Sequence, residues 1–324
     1  MLDDDTYNVL IVGAGNIGAF FDTPGSKSIL THAHAFKKHI GFNLLGFMDV
    51  DAKKAKKAAK LWKCRSFENI NDAFDYEKID VVCVSVPDDC HYKVLKELAD
   101  FPMKLVFAEK PLAKTMQQAK AIMRVYKKKN INMLINYSRR FMPEFEKIKK
   151  DITYGYYGEY LTGTGYYGKG ILHNGSHLID LLRYFIGEIK KISPVSSLSD
   201  FYRDDKSVSA VLTFQNNNPF FMQFADCRKY SMFEIDMLFE KKRVRIYDLG
   251  FKIEEYSIRD SKIFKGYKNI VKTSEINTSF NNAMHNAAEN IYKYLSEGQA
   301  LKCTLEDGFR ALETCTRIKE SIRS

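Results

Sequence analysis

The sequence is short of the residues that punctuate or staple a chain. Seven prolines and one tryptophan occur in 324 residues. No stretch is rich in proline, glycine and serine, which excludes collagen-like or mucin-like architectures and a low-complexity linker. No internal repeat is present. The six cysteines (Cys64, Cys83, Cys90, Cys227, Cys303 and Cys315) form no CxxC pair. They read as free thiols in a reducing compartment, with Cys83 inside an apolar run read as core. No apolar run approaches the roughly 20 residues that cross a bilayer. The N-terminus, MLDDDTYNVLIVGAG, has no basic leader and no small-residue cleavage site, so no signal peptide is expected. These absences together predict a soluble, cytoplasmic protein.

Acidic residues are in the minority, 40 against 50 Lys and Arg, for a formal charge of +10. Such an excess suits nucleic acid or an anionic metabolite. The lysines are nevertheless dispersed over 53–60, 127–129, 147–150 and 241–245, mostly in helix-like stretches, as solvated helix faces are. No RNP, zinc-finger or homeodomain pattern accompanies them, so neither nucleic acid nor a membrane is expected as a partner. What the chain does have is ordinary globular material, 45% hydrophobic and 28% charged. Its length predicts two domains, or one large one.

The first third alternates strand-like and helix-like segments. Strands are expected at 7–12, 43–48, 80–86, 104–108 and 132–135, and helices from the turn after 12 to about 40, at 52–62, 91–99 and 115–129. Strict alternation implies a doubly wound parallel sheet, the α/β Rossmann arrangement. After about residue 137 the rhythm changes. A helix (141–150) and a strand (159–167) lead to a helix over 173–185. Strand-like runs follow at 208–214, 220–225, 233–239, 244–247 and 253–256, then helices at 281–295 and 305–323. This predicts an α+β second domain with a largely antiparallel open sheet. The expected division is a dinucleotide-binding domain over 1–136, with a terminal helix 303–324 packing back on it, and a substrate-binding and oligomerisation domain over 137–302.

The segment Gly13-Ala14-Gly15-Asn16-Ile17-Gly18 is GxGxxG, preceded by the strand NVLIV. Gly13 permits the tight turn, Gly15 lets backbone approach a pyrophosphate, and Gly18 lets helix and strand pack closely. With Asn16 and Ile17 these are the expected cofactor contacts. Asp49, ending the second strand, is placed to accept the adenosine ribose hydroxyls and repel a 2′-phosphate. This predicts NAD, with NADP less favoured. The gap from Gly18 to Asp49 exceeds the usual spacing of about 20 residues, and an insertion at 21–28 (FDTPGSKS) accounts for it.

Two further segments carry chemistry. Glu109-Lys110-Pro111 follows the strand expected at 104–108, at the sheet edge where such folds bind ligands. Gly170 opens a segment in which His173, His177 and Asp180 fall on one face of a helix, at i, i+4 and i+7. Taken together, the residues resemble the glucose-fructose oxidoreductase / inositol dehydrogenase (Gfo/Idh/MocA) family over nearly the whole chain. GAGNIG resembles its dinucleotide turn and Val86-Pro87-Asp88-Asp89-Cys90-His91 its T-P-x-x-x-H segment. AEKPLA resembles its E-K-P signature, residues 136–143 (NYSRRFMP) its N-x-R-F-x-P junction, and GILHNGSHLID its G-x-L-x-D-x-G-x-H-x-x-D helix.

The resemblance implies an NAD(H)-dependent oxidoreductase moving a hydride between nicotinamide and a hydroxyl or keto carbon of a sugar; the basic balance and the Tyr and Arg candidates lean toward a phosphorylated or nucleotide-linked one. It implies His177 as general base and Lys110 as the donor that stabilises the reacting oxygen. Glu109, Pro87 and His91 are expected around the cofactor. On its own His177 would read as a satisfied core histidine; the flanking motif decides for catalysis. The chain departs from the pattern at His173, where the family carries Asp. Three readings stay open there: a proton relay with His177, recognition of a substrate group such as phosphate or carboxylate, or lost chemistry. A metal is not expected, because HxxxH lacks the intervening glutamate.

Asn174, Tyr166 and Arg140 are further candidates for substrate contact. His32 and His34 read as helix-face residues, and His285 as one pointing from a late helix toward the site. Alternatives to a dehydrogenase are a nicotinamide-binding regulator without turnover and a redox-neutral sugar epimerase or dehydratase that recycles NAD. The second domain's sheet predicts a homodimer or homotetramer.

Overall fold

The computed structural model describes residues 6–322, which divide into two compact units. The first holds the chain up to Phe141 and Asn281–Arg310; the second holds Met142–Phe280 and the chain from Ala311 on. Among the described residues no helix is long and apolar enough to cross a membrane.

In the first unit β1 (Tyr7–Val12), β2 (Phe42–Met48), β3 (Arg65–Phe67), β4 (Val81–Val84), β5 (Leu105–Ala108) and β6 (Asn132–Ile135) form one sheet. Its order is β3-β2-β1-β4-β5-β6, and every neighbouring pair is parallel. The doubly wound parallel sheet expected from the alternation is therefore present. VVCV and LVFA are buried along their whole length, as strands covered on both faces are. Helices α1 (His32–Lys38), α2 (Ala52–Trp62), α3 (Ile70–Tyr76), α4 (Asp88–Leu98) and α5 (Met116–Lys129) connect them. In α2 Asp51 caps the start by accepting from Lys53 and Lys54 N–H, and Ala55, Ala58, Ala59 and Trp62 face inward. The lysines of that helix are left to water, the solvated face that their spacing predicted.

The helix expected from the glycine turn to about residue 40 is broken. A single π turn, Asn16–Phe20, is followed by a loop, and a regular helix resumes only at α1. Trp62 Nε1 closes the turn by donating to the Ala19 carbonyl at 2.9 Å. Asp22 then organises the loop: its carboxylate accepts from Leu30 N at 2.6 Å, Thr31 Oγ1 at 2.6 Å and His34 Nδ1 at 2.8 Å. His34 is thus buried in the network of the insertion, where a helix-face residue was expected.

The second unit contains α6 (Pro143–Thr153), β7 (Tyr160–Tyr167), α7 (Ser176–Phe185), β8 (Ile189–Leu198), β9 (Ser207–Phe214), β10 (Pro219–Phe224), β11 (Glu234–Phe239), β12 (Lys242–Tyr247), β13 (Lys252–Asp260) and β14 (Lys268–Asn277). The eight strands run in the order β14-β13-β12-β11-β7-β10-β9-β8, with β7 and β10 the parallel pair in an otherwise antiparallel sheet. β8 and β14 were not expected. They are the edge strands and largely exposed, so they lack the apolar alternation by which strands are read. Pro194 lies in β8 beside a register shift, as an edge strand permits.

Two late helices, α8 (Ala283–Glu297) and α9 (Leu305–Ser321), complete the chain. The expected domain limits need correction here. Residues 281–302, expected with the second domain, belong to the first unit, and the expected return of helix 303–324 to that unit stops at Arg310. The reason is a set of polar contacts. Ile135 N donates to the Cys303 carbonyl at 3.0 Å, and Arg140 pairs with Asp307 at 3.1 Å and the Lys302 carbonyl at 3.2 Å. A Cβ on Gly308 would lie 2.7 Å from Ile135 Cγ1, so glycine lets α9 start against β6.

Replacing Asp22 by Ala strands the donors of Leu30, Thr31 and His34 in a buried setting. We expect Asp22→Ala to lower stability by about 3 kcal/mol in urea unfolding, with new proteolytic cleavage confined to residues 23–30.

Candidate functional site

The glycine turn leaves β1 at the carboxyl edge of the parallel sheet. Gly13 has φ +103°, and a Cβ there would lie 2.6 Å from the Ser85 carbonyl carbon and oxygen. A Cβ on Gly18 would lie 2.3 Å from the Gly13 oxygen. These two glycines are demanded by the protein's own packing. Gly15 is different: a Cβ there meets nothing within 4 Å. The space it leaves is the cradle that a dinucleotide needs in front of such a turn, and the residues present fit one. Asn16 is exposed and Ile17 half-buried beside it. Asp49, half-buried, accepts from Ala14 N at 2.7 Å through one oxygen and from Asp51 N at 2.9 Å through the other. A carboxylate is thereby held against the glycine turn.

Pro87 precedes α4 and is exposed. His91, expected at the cofactor, is fully buried beneath this turn, its Nε2 donating to the Val86 carbonyl at 3.0 Å. Burial pulls its pKa down against the charges of Asp88 and Glu109, which favours the neutral ring that this bond uses. Its visible work is to hold residues 86 and 87.

Glu109 and Lys110 follow β5, and the Lys110–Pro111 peptide bond is cis. The Glu109 carboxylate accepts from Asn136 Nδ2 at 2.6 Å and from His32 Nε2 at 2.9 Å. Burial opposes its charge, but the bond and charge of His32, the bond from Asn136 and the charge of Lys110 outweigh it. The carboxyl is held below its ordinary range. His32 is fully buried and packs edge-on against Phe107. It is thus a brace of the Glu-Lys-Pro loop, a role that the helix-face reading missed. The available signal was its setting: Ala33, Ala35 and Phe36 around it are all buried.

In the second unit, His173 and His177 do not share one regular helix. Gly170–Gly175 is a π turn that contains His173 and Asn174, and α7 begins at Ser176, one residue before His177. His177 and Asn174 are half-buried, and Asp180 is buried. The turn is held from a distant loop. Lys169 N donates to Asp200 at 2.6 Å, Gly170 N to Ser207 Oγ at 2.8 Å and Leu172 N to Asp205 at 3.0 Å. His173 Nδ1 lies 2.8 Å from Asp205 Oδ2, and its ring stacks on Tyr202 at 3.8 Å between centroids. Asp200, Tyr202 and Asp205 carry no sequence motif and were not anticipated.

Three expected site residues are placed otherwise. Tyr166 alternates with Tyr167 along β7. Tyr167 is buried on the face where a Gly175 Cβ would touch its ring, and Tyr166 lies on the opposite face with Thr164 and Gln223. Arg140 is buried in its pairing with Asp307, so its guanidinium is committed to structure. His285 packs against His39 on the first unit, 5.7 Å between ring centroids, and burial together with the His39 charge pulls its pKa down.

Residues 7–137 match the family model described as "Oxidoreductase family, NAD-binding Rossmann fold". Inositol 2-dehydrogenase of Rhizobium meliloti is 27% identical over 151 residues, 46% of this chain and 41% of that protein. Levoglucosan dehydrogenase of Pseudarthrobacter phenanthrenivorans is 29% identical over 145 residues, 38% of this chain and 37% of that one. The match therefore spans about four tenths of these curated relatives' length. Among solved structures, the WlbA dehydrogenase of Bordetella pertussis, in complex with NADH and UDP-GlcNAcA, superposes with a TM-score of 0.81. It is 17% identical and the match covers 100% of this chain and 97% of that one, which shows a shared fold.

The brace on Glu109 yields a pH-dependent prediction. A carboxyl held below its ordinary range stabilises the fold at neutral pH, and that contribution is lost as pH falls through its folded value. His32→Ala removes the principal partner. Urea unfolding at pH 7 should show a loss of about 3 kcal/mol, and the acid-unfolding midpoint should move to higher pH.

Proposed function

The chain belonging to the Gfo/Idh/MocA family of oxidoreductases, we propose that it is an NAD(H)-dependent dehydrogenase or reductase of a sugar, one phosphorylated or linked to a nucleotide. The observation that carries the reading is the pairing of an open glycine cradle and tethered Asp49 with Lys110 at the end of β5, on a chain that also presents His177 at the start of α7. Relatives that act on inositol and levoglucosan support a polyhydroxylated substrate. The fold shared with a protein that holds UDP-GlcNAcA, together with the net positive charge, supports the anionic class.

Gly13, Gly15, Asn16, Ile17 and Gly18 receive the pyrophosphate, and Asp49 accepts the ribose hydroxyls and disfavours a 2′-phosphate. Pro87 and Glu109 bound the nicotinamide side. When bound, NAD supplies the hydride acceptor at nicotinamide C4. In oxidation, the Lys110 ammonium donates to the substrate oxygen and offsets the negative charge that grows there. His177 takes the hydroxyl proton as the C–H electron pair departs, and returns it in reduction. Asn174 contacts a neighbouring hydroxyl. The open face of the eight-stranded sheet, where Leu161 and Phe221 are exposed, supports a homodimer or homotetramer.

The test is absorbance at 340 nm with free, phosphorylated and nucleotide-linked sugars, each offered with NAD and NADP. Turnover is expected with an anionic sugar and NAD. His177→Asn should lower kcat by about 10²–10⁴-fold while NADH binding, read by fluorescence, is retained. Silence across the panel with NADH still bound would sink the dehydrogenase reading.

A further inference from the structure

The position at which the family pattern has Asp carries His173, and the structure supplies a carboxylate to it from elsewhere. Asp205 lies in the loop before β9, 32 residues along the chain, and is buried. Its Oδ2 is 2.8 Å from His173 Nδ1 and accepts from His173 N at 3.2 Å; both of its oxygens also accept from Leu172 N. The contact is built into the backbone. Gly170 has φ +81°, and a Cβ there would lie 2.1 Å from Asp205 Oδ2. Only glycine lets the carboxylate sit under the turn. The stack on Tyr202, with ring planes 16° apart, fixes the imidazole plane.

We propose that His173 and Asp205 form an imidazole–carboxylate dyad that replaces the single carboxylate of the family pattern and accepts a hydrogen bond from a substrate hydroxyl. An ionised carboxylate only accepts, so Nδ1 carries the proton. In the neutral ring Nε2 then carries the lone pair, and the position keeps an acceptor although the residue has changed. Asp205 acts through His173 and is a positioning residue; His173 is the group that meets the substrate. Of the three readings open at His173, this selects recognition of a substrate group, a hydroxyl in place of an anion. The proposal rests on the sugar-oxidoreductase reading for its ligand, and on the geometry of the second unit for the dyad.

Two measurements test it separately. Long-range ¹H–¹⁵N spectra of the full chain with NADH, at a pH where the ring is neutral, should show His173 as the Nδ1–H tautomer. In Asp205→Ala no acceptor is left at Nδ1, so the ring should lose the Nδ1–H form and shift toward Nε2–H, the form a free neutral imidazole side chain favours. A wild-type ring found as Nε2–H, or a tautomer unmoved in Asp205→Ala, overturns the dyad whether or not any sugar is turned over. The wild-type spectrum decides even where the variant fails to fold.

The second measurement is kinetic, on whichever sugar the 340 nm panel reveals. Asp205→Asn should lower kcat/KM about 10- to 100-fold, the range typical of a residue that orients a ligand-contacting histidine. His173→Asp alone restores the family residue but sets two carboxylates together, and should be as poor. Adding Asp205→Asn to His173→Asp should recover activity at least fivefold over His173→Asp alone. A double variant no better than the single one overturns the proposal. A pinned tautomer with no active sugar leaves the dyad standing and removes the sugar reading.

Discussion

A carboxylate withdrawn from water keeps its charge only where hydrogen bonds replace hydration, and three turns of this protein are built around one. Asp22 holds the insertion after the glycine turn, Glu109 the loop after β5, and Asp205 the turn before α7. Each takes an imidazole as one partner: His34, His32 and His173. Backbone or amide N–H groups, and for Asp22 the Thr31 hydroxyl, supply the rest. These segments have little apolar surface to bury, so their conformations are fixed by direction-dependent bonds. The apolar strand LVFA sets where the Glu109 loop begins. The carboxylates set where the functional side chains go.

What was legible in the sequence follows from this division. Buried parallel strands read as continuous apolar runs, and α2 carries both its cap and its face in its residues, so those elements were predicted closely. The GxGxxG turn with Asp49 was legible because glycine and carboxylate are required there by geometry alone. The edge strands β8 and β14 were not, since a strand with water on most of its surface has no alternation to show. The helix after the glycine turn was overextended because it was run through the Pro-Gly of the 21–28 insertion, a break that the residues do mark, and because Asn16–Phe20 is itself poor helix material.

The site was legible in its motifs and not in its supports. Asp205 and His173 are joined across a loop by a contact that no periodicity encodes, and His32 reaches Glu109 from a helix 77 residues earlier. Arg140 and Tyr166 lie away from their expected places for simpler reasons. A guanidinium near a motif is as readily consumed by an internal carboxylate, here Asp307, as left for a ligand. Successive residues of a strand point to opposite faces, so two adjacent tyrosines before a functional turn do not serve the same side.

The proposed dyad at His173 would alter the field at the site as well as its hydrogen bonds. A carboxylate that met the ligand itself would stand about 3 Å from it, while one behind an imidazole ring stands about 6 to 7 Å away. At an effective dielectric of about 20, the interaction of two unit charges falls from about 5.5 to about 2.5 kcal/mol over that change. The acceptor is kept and its charge is moved back. An anionic substituent on the substrate then meets roughly half the repulsion that the family's residue would impose. Under the proposed function, a phosphorylated or nucleotide-linked sugar would gain most from this relocation, because its hydroxyl would still find a lone pair while its phosphate would no longer face a carboxylate at contact distance.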